Sequence, residues 1–528
     1  MKRCFALPAA CLIFTAQLLT AQSLTAENTA ADAALAEGIA LSRQDRFIEA
    51  NAALLAAQRR FPADARFLLE LAGVSYRLKN MAPAKRMLRQ ALRLDPTNNY
   101  GNEFLATLHL LDGNLEAALS RWNRIGKPLL QEVVFDPVPI LHPTLLHRAV
   151  TFSGGQILTL HRLHSTERNL DLLNFFARRQ LDLAPLGNGR YVATYRLLPA
   201  AQPFSGRWAT LIALTRGLPY QAVGLERTNV ANRAWNAHAL YRWDAQKRRV
   251  AFDLAGPMGK TPSRAFRISI DGRDEHWDLP GILNGVQLRK AAAEIGASFI
   301  LREKLTWTTT VRTSKRSIAG AAPSAALEGA FDSGWTVEQR NQIDLPVFTL
   351  PEHRFRLNAK AGLRTGRFLG RAKSRRILGG DSAVTANWLP QSKGDDWEVR
   401  AAFYAGGIGG VPFDEYFQLG MERDNPYWIR GVAGSRDGRK GAGPIGSNFV
   451  LVQSGFDRTV LRIPFLRVKA GPFFDTGRAG GFSIPQWHSG TGAQVRLLAG
   501  GGVAWSLIIG RDLRRGEMVF YSTVSRFF

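Results

Sequence analysis

The chain has 528 residues, too long for one ordinary domain and long enough for two or three. Its 45% hydrophobic and 10% aromatic content excludes a disordered protein, and its 50 glycines suit many tight turns and bulges. The net charge of +26 is compatible with anionic contacts or with solvated charged turns, and no aromatic-basic module directs it to nucleic acid.

The N-terminus reads Met1-Lys2-Arg3, then an apolar stretch from Cys4 to about Leu19, then small-residue cleavage candidates at Ala21 and Ala26. This is the pattern of a secretory signal peptide over residues 1–26. A lipoprotein reading at Cys11 fits less well, because Pro8 stands where a branched aliphatic belongs and the apolar run continues past the cysteine. Cys4 and Cys11 both lie inside this leader, so the processed chain would carry no thiol, no disulfide and no cysteine catalysis. Beyond it no run of about 18 apolar residues appears, which argues against a spanning helix. The expected destinations are the periplasm, the exterior or an outer-membrane barrel.

Residues 27–130 are expected to be helical and repetitive. Ala50, Ala84 and Ala118 recur at intervals of 34, as do Leu54 and Leu88, Ala57 and Ala91, Pro62 and Pro96, and Gly38, Ala72 and Ala106. Small residues at fixed points let paired helices approach, and the proline ends the second helix of each unit. The segment resembles three tetratricopeptide repeats. The third departs from the pattern, with Trp122 and Ile125 in place of smaller residues and no closing proline, as suits a capping repeat. Such an array is either a concave surface for a partner or a spacer.

Over 137–203 the pattern changes. A short strand is expected at His147 to Phe152, two helices between Leu158 and Gln180 around Ser165-Thr166-Glu167, and a hairpin from Leu181 to Leu198 turning at Gly187-Asn188-Gly189. Ser165 or Thr166 can cap the second helix, whose apolar face is Leu170, Leu173, Phe175 and Phe176. Strand, two helices and two strands is the order of a POTRA domain. That resemblance implies either an open sheet edge for an incoming strand or a structural collar.

From Phe204 to Phe528 the sequence alternates with period two. Val250, Phe252 and Leu254 alternate with Arg249, Ala251 and Asp253, and Phe266, Ile268 and Ile270 with Arg267, Ser269 and Asp271. Phe355, Leu357, Ala359 and Ala361 do the same, as do Trp397, Val399, Ala401 and Phe403. A soluble sandwich gives this alternation too. With a leader and a C-terminal aromatic it points to a transmembrane antiparallel barrel, which at about 20 residues per strand and turn would have roughly 16 strands. Twelve tryptophans and thirty phenylalanines can supply interfacial girdles.

Residues 411–528 carry the most specific pattern. Asp414-Glu415-Tyr416-Phe417-Gln418-Leu419-Gly420 is followed by Trp428-Ile429-Arg430-Gly431, and later by Gly471-Pro472-Phe473-Phe474-Asp475-Thr476-Gly477. This resembles the outer-membrane assembly superfamily of BamA, TamA and the two-partner secretion transporters. The resemblance implies that a long loop with an Arg-Gly tip folds into the lumen, where Arg430 and Gly431 meet Asp475 on a wall strand marked by Phe474 and Gly477. An arginine in a lumen needs a fixed carboxylate to offset its desolvation, which supports the same pair on physical grounds. Val432 departs from the family, which has an aromatic there, and Val460 stands where it has an acid two positions before Arg462. The last strand, Met518 to Phe528, resembles the terminal signal read by assembly machinery, with Val524 and Phe528 on one face.

Enzyme motifs are weak. Gly441-Ala442-Gly443-Pro444-Ile445-Gly446 matches a dinucleotide-binding string, but Pro444 removes an amide donor and no helix follows. Gly259-Lys260-Thr261 ends like a phosphate loop, yet Leu254 stands where its first glycine belongs, and a turn is expected. His142, His147, His161 and His164 have no HExxH spacing or placed carboxylate, so neither metal nor cofactor is expected. Basic clusters at 247–249, 371–376, 436–440 and 511–515 are expected in turns, either solvated or facing lipid phosphates or acidic clients. The expected function is assisting insertion or translocation of other proteins at the outer membrane, without covalent chemistry. The implied partners are outer-membrane lipids, unfolded or exported clients, and a periplasmic or inner-membrane assembly subunit. The rival readings are a dedicated export pore, for a secreted partner protein or an exopolysaccharide, and a binding or adhesion barrel.

Overall fold

The structure is a computed structural model describing residues 28–187, 189–199, 217–302, 304–320, 325–390, 396–464, 466–482, 485–499 and 504–524. The leader at 1–26 lies outside the described residues. The chain divides into two compact units, Met1–Lys127 and Pro128–Phe528.

The first unit is helical: α1 over 28–43, α2 Phe47–Arg60, α3 Ala65–Arg77, α4 Met81–Leu94, α5 Asn99–Leu111 and α6 Leu115–Trp122. The periodic small residues sit where helices touch, and Ala50, Ala72, Ala84, Ala106 and Ala118 are all fully buried. Around them pack Leu54, Phe67 and Leu71 in one cluster and Leu69, Leu88, Leu92 and Leu105 in the next. Asp64, Asn98 and Asn114 cap α3, α5 and α6 by accepting backbone amides at 2.8 to 3.1 Å. Hydrogen bonds from Arg66 hold the Asp64 carboxyl below its ordinary pKa. Arg66 also pairs at 2.7 Å with Asp32, the residue at its own position one 34-residue interval earlier.

The second unit opens with a small α+β module: β1 Leu129–Phe135, α7 Pro143–Ala149, α8 Leu160–Leu173, β2 Phe176–Gly187 and β3 Arg190–Pro199. Its sheet order is β1-β3-β2, with β1 parallel and β2 antiparallel to β3. Three local expectations are corrected here. Of the segment expected as a strand at His147 to Phe152, His147 to Ala149 end helix α7, which Pro143 starts and the His142 side chain caps, and the rest forms no strand; the first strand lies earlier in β1. A single helix replaces the expected pair. Thr159, not Ser165 or Thr166, caps α8, because the buried Thr166 hydroxyl accepts the Thr151 amide at 2.9 Å. Asn174 then ends the helix in the left-handed region (φ 47°) and releases Phe176 onward into β2. The hairpin between β2 and β3 turns at 187–189, and Asn188 lies outside the described residues.

The rest is one large antiparallel sheet ordered as a barrel. Its first run is β4 Ala222–Val230, β5 Trp235–Arg242, β6 Lys247–Met258, β7 Thr261–Leu279, β8 Leu283–Leu301, β9 Leu305–Ala319, β10 Gly334–Leu350, β11 Phe355–Gly370, β12 Ser374–Trp388 and β13 Trp397–Gly409. A loop over 410–447 follows, carrying two-residue strands β14 Phe417–Gln418, β15 Ser435–Arg436, β16 Arg439–Lys440 and β17 Ile445–Gly446. The wall resumes with β18 Asn448–Ile463, β19 Leu466–Gly480, β20 His488–Ala499, β21 Ala504–Asp512 and β22 Met518–Val524. Each wall strand pairs antiparallel with the next, and β13 pairs with β18 across the loop. Among the described residues the wall has fifteen strands, since β15 and β16 of the seventeen in the barrel order belong to the loop. The sequence expectation of roughly 16 began at Phe204, and 204–216 lie outside the described residues.

Burial is reversed relative to a water-soluble protein. Val250, Ile270 and Ile295 are 59 to 61% exposed, while Arg316 and Glu338 are 2% exposed and Asp475 is fully buried. The alternation that leaves sandwich and barrel open in the sequence is therefore apolar outward and charged inward, the polarity of a lipid-facing wall. Outward aromatic pairs Trp235–Phe266, Phe299–Trp307, Phe348–Phe355 and Trp397–Phe456 gather at one end, together with exposed Trp388 and Trp505. The α+β module rests at that same end, where Arg148 donates to the Lys260 carbonyl at 3.3 Å and Asn236 to the Leu173 carbonyl at 2.9 Å.

Ile270→Arg is expected to destabilise the chain by about 2–4 kcal/mol in urea titrations of protein folded into phosphatidylcholine vesicles, as for a cation at mid-bilayer. At an equally exposed site of a water-soluble fold the change would stay within about 0.5 kcal/mol, and that smaller value would contradict a lipid-facing wall.

Candidate functional site

The 410–447 loop meets the wall on every side. Its first acids, Asp414 and Glu415, lie beside β8 to β11: Asp414 accepts from Lys290 at 2.8 Å and Arg316 at 3.1 Å, and Glu415 from Lys290, from Arg316 at 3.3 Å and from Arg364 at 2.8 Å. Farther on, Asp424 pairs with Arg242 on β5 at 3.0 Å and Arg249 on β6 at 2.8 Å, and Glu422 with Lys247 at 3.0 Å. Buried Lys440 completes this side by donating to Glu275 on β7 at 3.0 Å. A loop bonded to strands this far apart in the sheet must lie inside it. A cavity of about 460 Å³ remains between the loop and β7 to β12, lined in part by Arg312, Arg340, Arg364 and Tyr427.

The tip turns toward β18 to β20. Arg430 meets Asp475 three times: its backbone amide reaches Oδ2 at 2.9 Å, Nε reaches Oδ2 at 2.8 Å and Nη2 reaches Oδ1 at 2.6 Å. Its remaining donors go to the Ser454 carbonyl at 2.8 Å and Gln494 Oε1 at 3.0 Å, and its guanidinium lies 4.5 Å from the centroid of the Phe473 ring. Bidentate geometry with a partner at each guanidinium nitrogen is what a buried arginine requires. Two glycines make the approach possible. Gly431 has φ +90°, and a Cβ on Gly490 of β20 would stand 1.8 Å from the Arg430 carbonyl oxygen.

The other sequence-derived residues fall as follows. Phe474 points outward and is 46% exposed, on the lipid side of the strand whose inward face carries Asp475 and Gly477. Val524 is buried at the end of β22 opposite Trp505. Phe528 lies outside the described residues. Val432 is fully buried in an apolar cluster with Leu419, Ile429, Phe449 and Leu451. Aromatic contact comes instead from the residues just before the tip. Tyr427 packs 4.6 Å from Phe449 and donates to Asp381 at 2.8 Å, and Trp428 packs 5.1 Å from Tyr521 of β22.

The basic clusters lie in turns or the loop at 371–373, 436–440 and 513–515, as expected, but several of their cations are not solvated there. Lys247 and Arg249 begin β6 and point at loop acids, Arg375 and Arg376 lie on β12, and Lys440 is buried. The sequence reading did not recognise Asp414, Glu415, Glu422 and Asp424 as the partners of wall cations. The available signal was their clustering in a glycine-rich loop that separates two amphipathic strands. The 441–446 glycine string lies in this loop and leads into β18, and residues 259–260 form the turn between β6 and β7.

No protein-family model matches the chain, and no curated protein matches it. Solved structures do. The chain is similar to BamA from Haemophilus ducreyi lacking POTRA domains 1-3, at 10% identity over 75% of this chain and 83% of that chain, with a TM-score of 0.42. It is similar to CdiB from Escherichia coli, at 15% identity over 76% and 75% with a TM-score of 0.49, and to CdiB from Acinetobacter baumannii, at 13% over 75% and 73% with a TM-score of 0.43. At these scores the likeness is one of outline, and the functional reading rests on the geometry above.

Asp475→Ala leaves the Arg430 guanidinium buried without its carboxylate and is expected to cost about 3–5 kcal/mol in denaturant titrations of the vesicle-folded chain. Adding Arg430→Ala should recover part of that loss, and strictly additive effects would show the two groups to be uncoupled. Gly490→Ala should displace the tip and open the bond after Arg430 to trypsin, which is expected to spare it in the unaltered chain.

Proposed function

We propose that the chain is an outer-membrane barrel of the BamA, TamA and two-partner secretion superfamily that assists insertion or translocation of other proteins. The observation that carries this reading is the loop tip pinned on Asp475 through Arg430, inside a wall whose polarity suits lipid. A lumen occupied by a charge-matched loop is a poor permanently open channel. The module ahead of the wall has the strand, helix, helix, strand, strand order of a POTRA domain, and β2 forms one edge of its sheet. An edge strand offers unpaired amides and carbonyls to an incoming extended segment. The 34-residue spacing of the first unit supports tetratricopeptide repeats as a capture surface for clients or an assembly subunit. With the leader at 1–26, both modules would stand in the periplasm. In this reading the Arg430–Asp475 pair locks the loop, Phe474 and Gly477 mark the wall strand, and Val524 with Phe528 forms the terminal strand signal.

A dedicated export pore for a secreted protein or an exopolysaccharide is the second reading. It is favoured by the ion pairs that set the loop's register, which water can replace if the loop withdraws, and by the cavity of about 460 Å³ already beside it.

Depletion separates the two: broad loss of outer-membrane proteins supports assembly, and loss of one exported product supports a conduit. An Arg430→Ala variant that inserts normally is expected to lose most client assembly or secretion, and a charge exchange with Asp475 should restore part of it. Full activity in the single variant would remove any functional role for the lock.

A further inference from the structure

The outward face of β11 and β12 carries two arginines with no acidic partner among the described residues. Arg367 lies directly opposite Arg376 in the β11–β12 register. Arg367 shares its face with exposed Leu363 and Leu369, and Arg376 with exposed Leu378 and Val384, while the alternating Phe368 and Ile377 are fully buried. Like charges directly opposite on one face of a sheet destabilise it, because their Cβ atoms stand only about 5 Å apart. Asp332, at the neighbouring turn, already accepts the Arg371 and Ala372 amides at 3.1 and 3.3 Å. A third outward cation stands nearby: Lys315 of β9 lies 5.4 Å from the centroid of Trp335 on β10, and Trp335 is opposite Leu369 of β11.

Depth identifies what this cluster meets. The same two strands hold a second matched outward pair, Phe355 opposite Trp388, within the aromatic belt at the module end. The two pairs are twelve residues apart along each strand. At about 3.4 Å per residue and a strand tilt of about 40°, that spacing spans roughly 30 Å along the membrane normal, close to a hydrocarbon thickness. If the aromatic pair sits at one interface, the arginine pair sits among the headgroups of the other. Two guanidinium forks with an ammonium and a tryptophan beside them match a phosphate anchored in a bilayer.

We propose that Arg367 and Arg376, with Lys315 and Trp335 beside them, form a binding site for the phosphate of a membrane-lipid headgroup at the loop end of the wall. The proposal rests on reading the sheet as a transmembrane barrel and is independent of whether the barrel inserts or exports proteins. A bound phosphate would relieve the repulsion between the arginines and fix the depth of β11 and β12.

The test uses the full chain folded in uncharged detergent micelles and titrated with phosphatidic acid, phosphatidylcholine or inorganic phosphate. Bound lipid is counted by native mass spectrometry and the melting point is followed alongside. Phosphatidic acid is expected to bind at least tenfold more tightly than phosphatidylcholine and to raise the melting point. The Arg367→Gln/Arg376→Gln variant should lose that preference, yet melt no lower than the unaltered chain when phosphate lipid is absent. Arg264→Gln, an exposed cation at the opposite end, should keep the preference. The Arg367→Lys/Arg376→Lys variant keeps the charge without the planar forks, so an intermediate preference supports the site even if the glutamine variant does not fold. Unchanged phosphatidic acid binding in the arginine variants would overturn the proposal, as would inorganic phosphate reproducing the melting shift at equal concentration. A chain that fails to enter phosphatidylcholine vesicles at all would overturn the barrel reading instead.

Discussion

The structure depends on charge matching across the lumen. The inward face of β5 to β11 is strongly cationic, through Arg242, Lys247, Arg249, Lys290, Arg316 and Arg364, and the loop answers with Asp414, Glu415, Glu422 and Asp424. On the opposite side the polarity reverses, and the loop presents Arg430 to the wall's Asp475. An unpaired charge in such a space is strongly unfavourable, so a loop with acids on one flank and an arginine at its tip has one orientation that satisfies all of them. The same matching explains how a wall can bury so many cations while its outward face stays apolar enough for lipid.

Much of this architecture is legible in the sequence because it is written in local periods. The 34-residue recurrence of small residues reports helix contacts, and the period-two alternation reports strands. What the alternation cannot carry is the sign of the inside, since a sandwich core and a lipid-facing wall put the same residues on one face. Val250 and Ile270 become informative only once Arg249 and Asp271 are seen to be shielded and ion-paired to each other. Local signals failed where tertiary partners overruled them. Thr166 has the chemistry of a helix cap, but the Thr151 amide takes its hydroxyl and α8 runs straight through.

The site shows the same division. Arg430 and Asp475 are recoverable from sequence because each lies in a recognisable motif with glycine beside it. The loop acids have no such signature, because their wall partners lie 51 to 182 residues away on strands brought round by the curvature of the sheet. For the same reason the clusters at 247–249 and 436–440 look like solvated turns when read alone. Charge that is surplus locally is balanced globally, and no window along the chain contains both halves.

Ion pairs and apolar contacts do different jobs in holding this loop. When the loop withdraws, water solvates the separated charges, so much of the Coulombic attraction of each pair is recovered and its net contribution is small. Leu419, Ile429 and Val432 have no such compensation, and each fully buried aliphatic side chain contributes about 1.5–3 kcal/mol. The apolar cluster against Phe449 and Leu451 therefore supplies most of the holding free energy, while Arg430 and the acids set the register. Valine at 432 buries less area than an aromatic would, which weakens the grip at the tip itself. Tyr427 on Phe449 and Trp428 on Tyr521 move the aromatic contact outward along the loop, and the second of these ties it to the last described wall strand. Because Trp428 and Arg430 are only two residues apart, freeing the tip from β19 also pulls on β22, so the loop and the terminal strand are mechanically coupled.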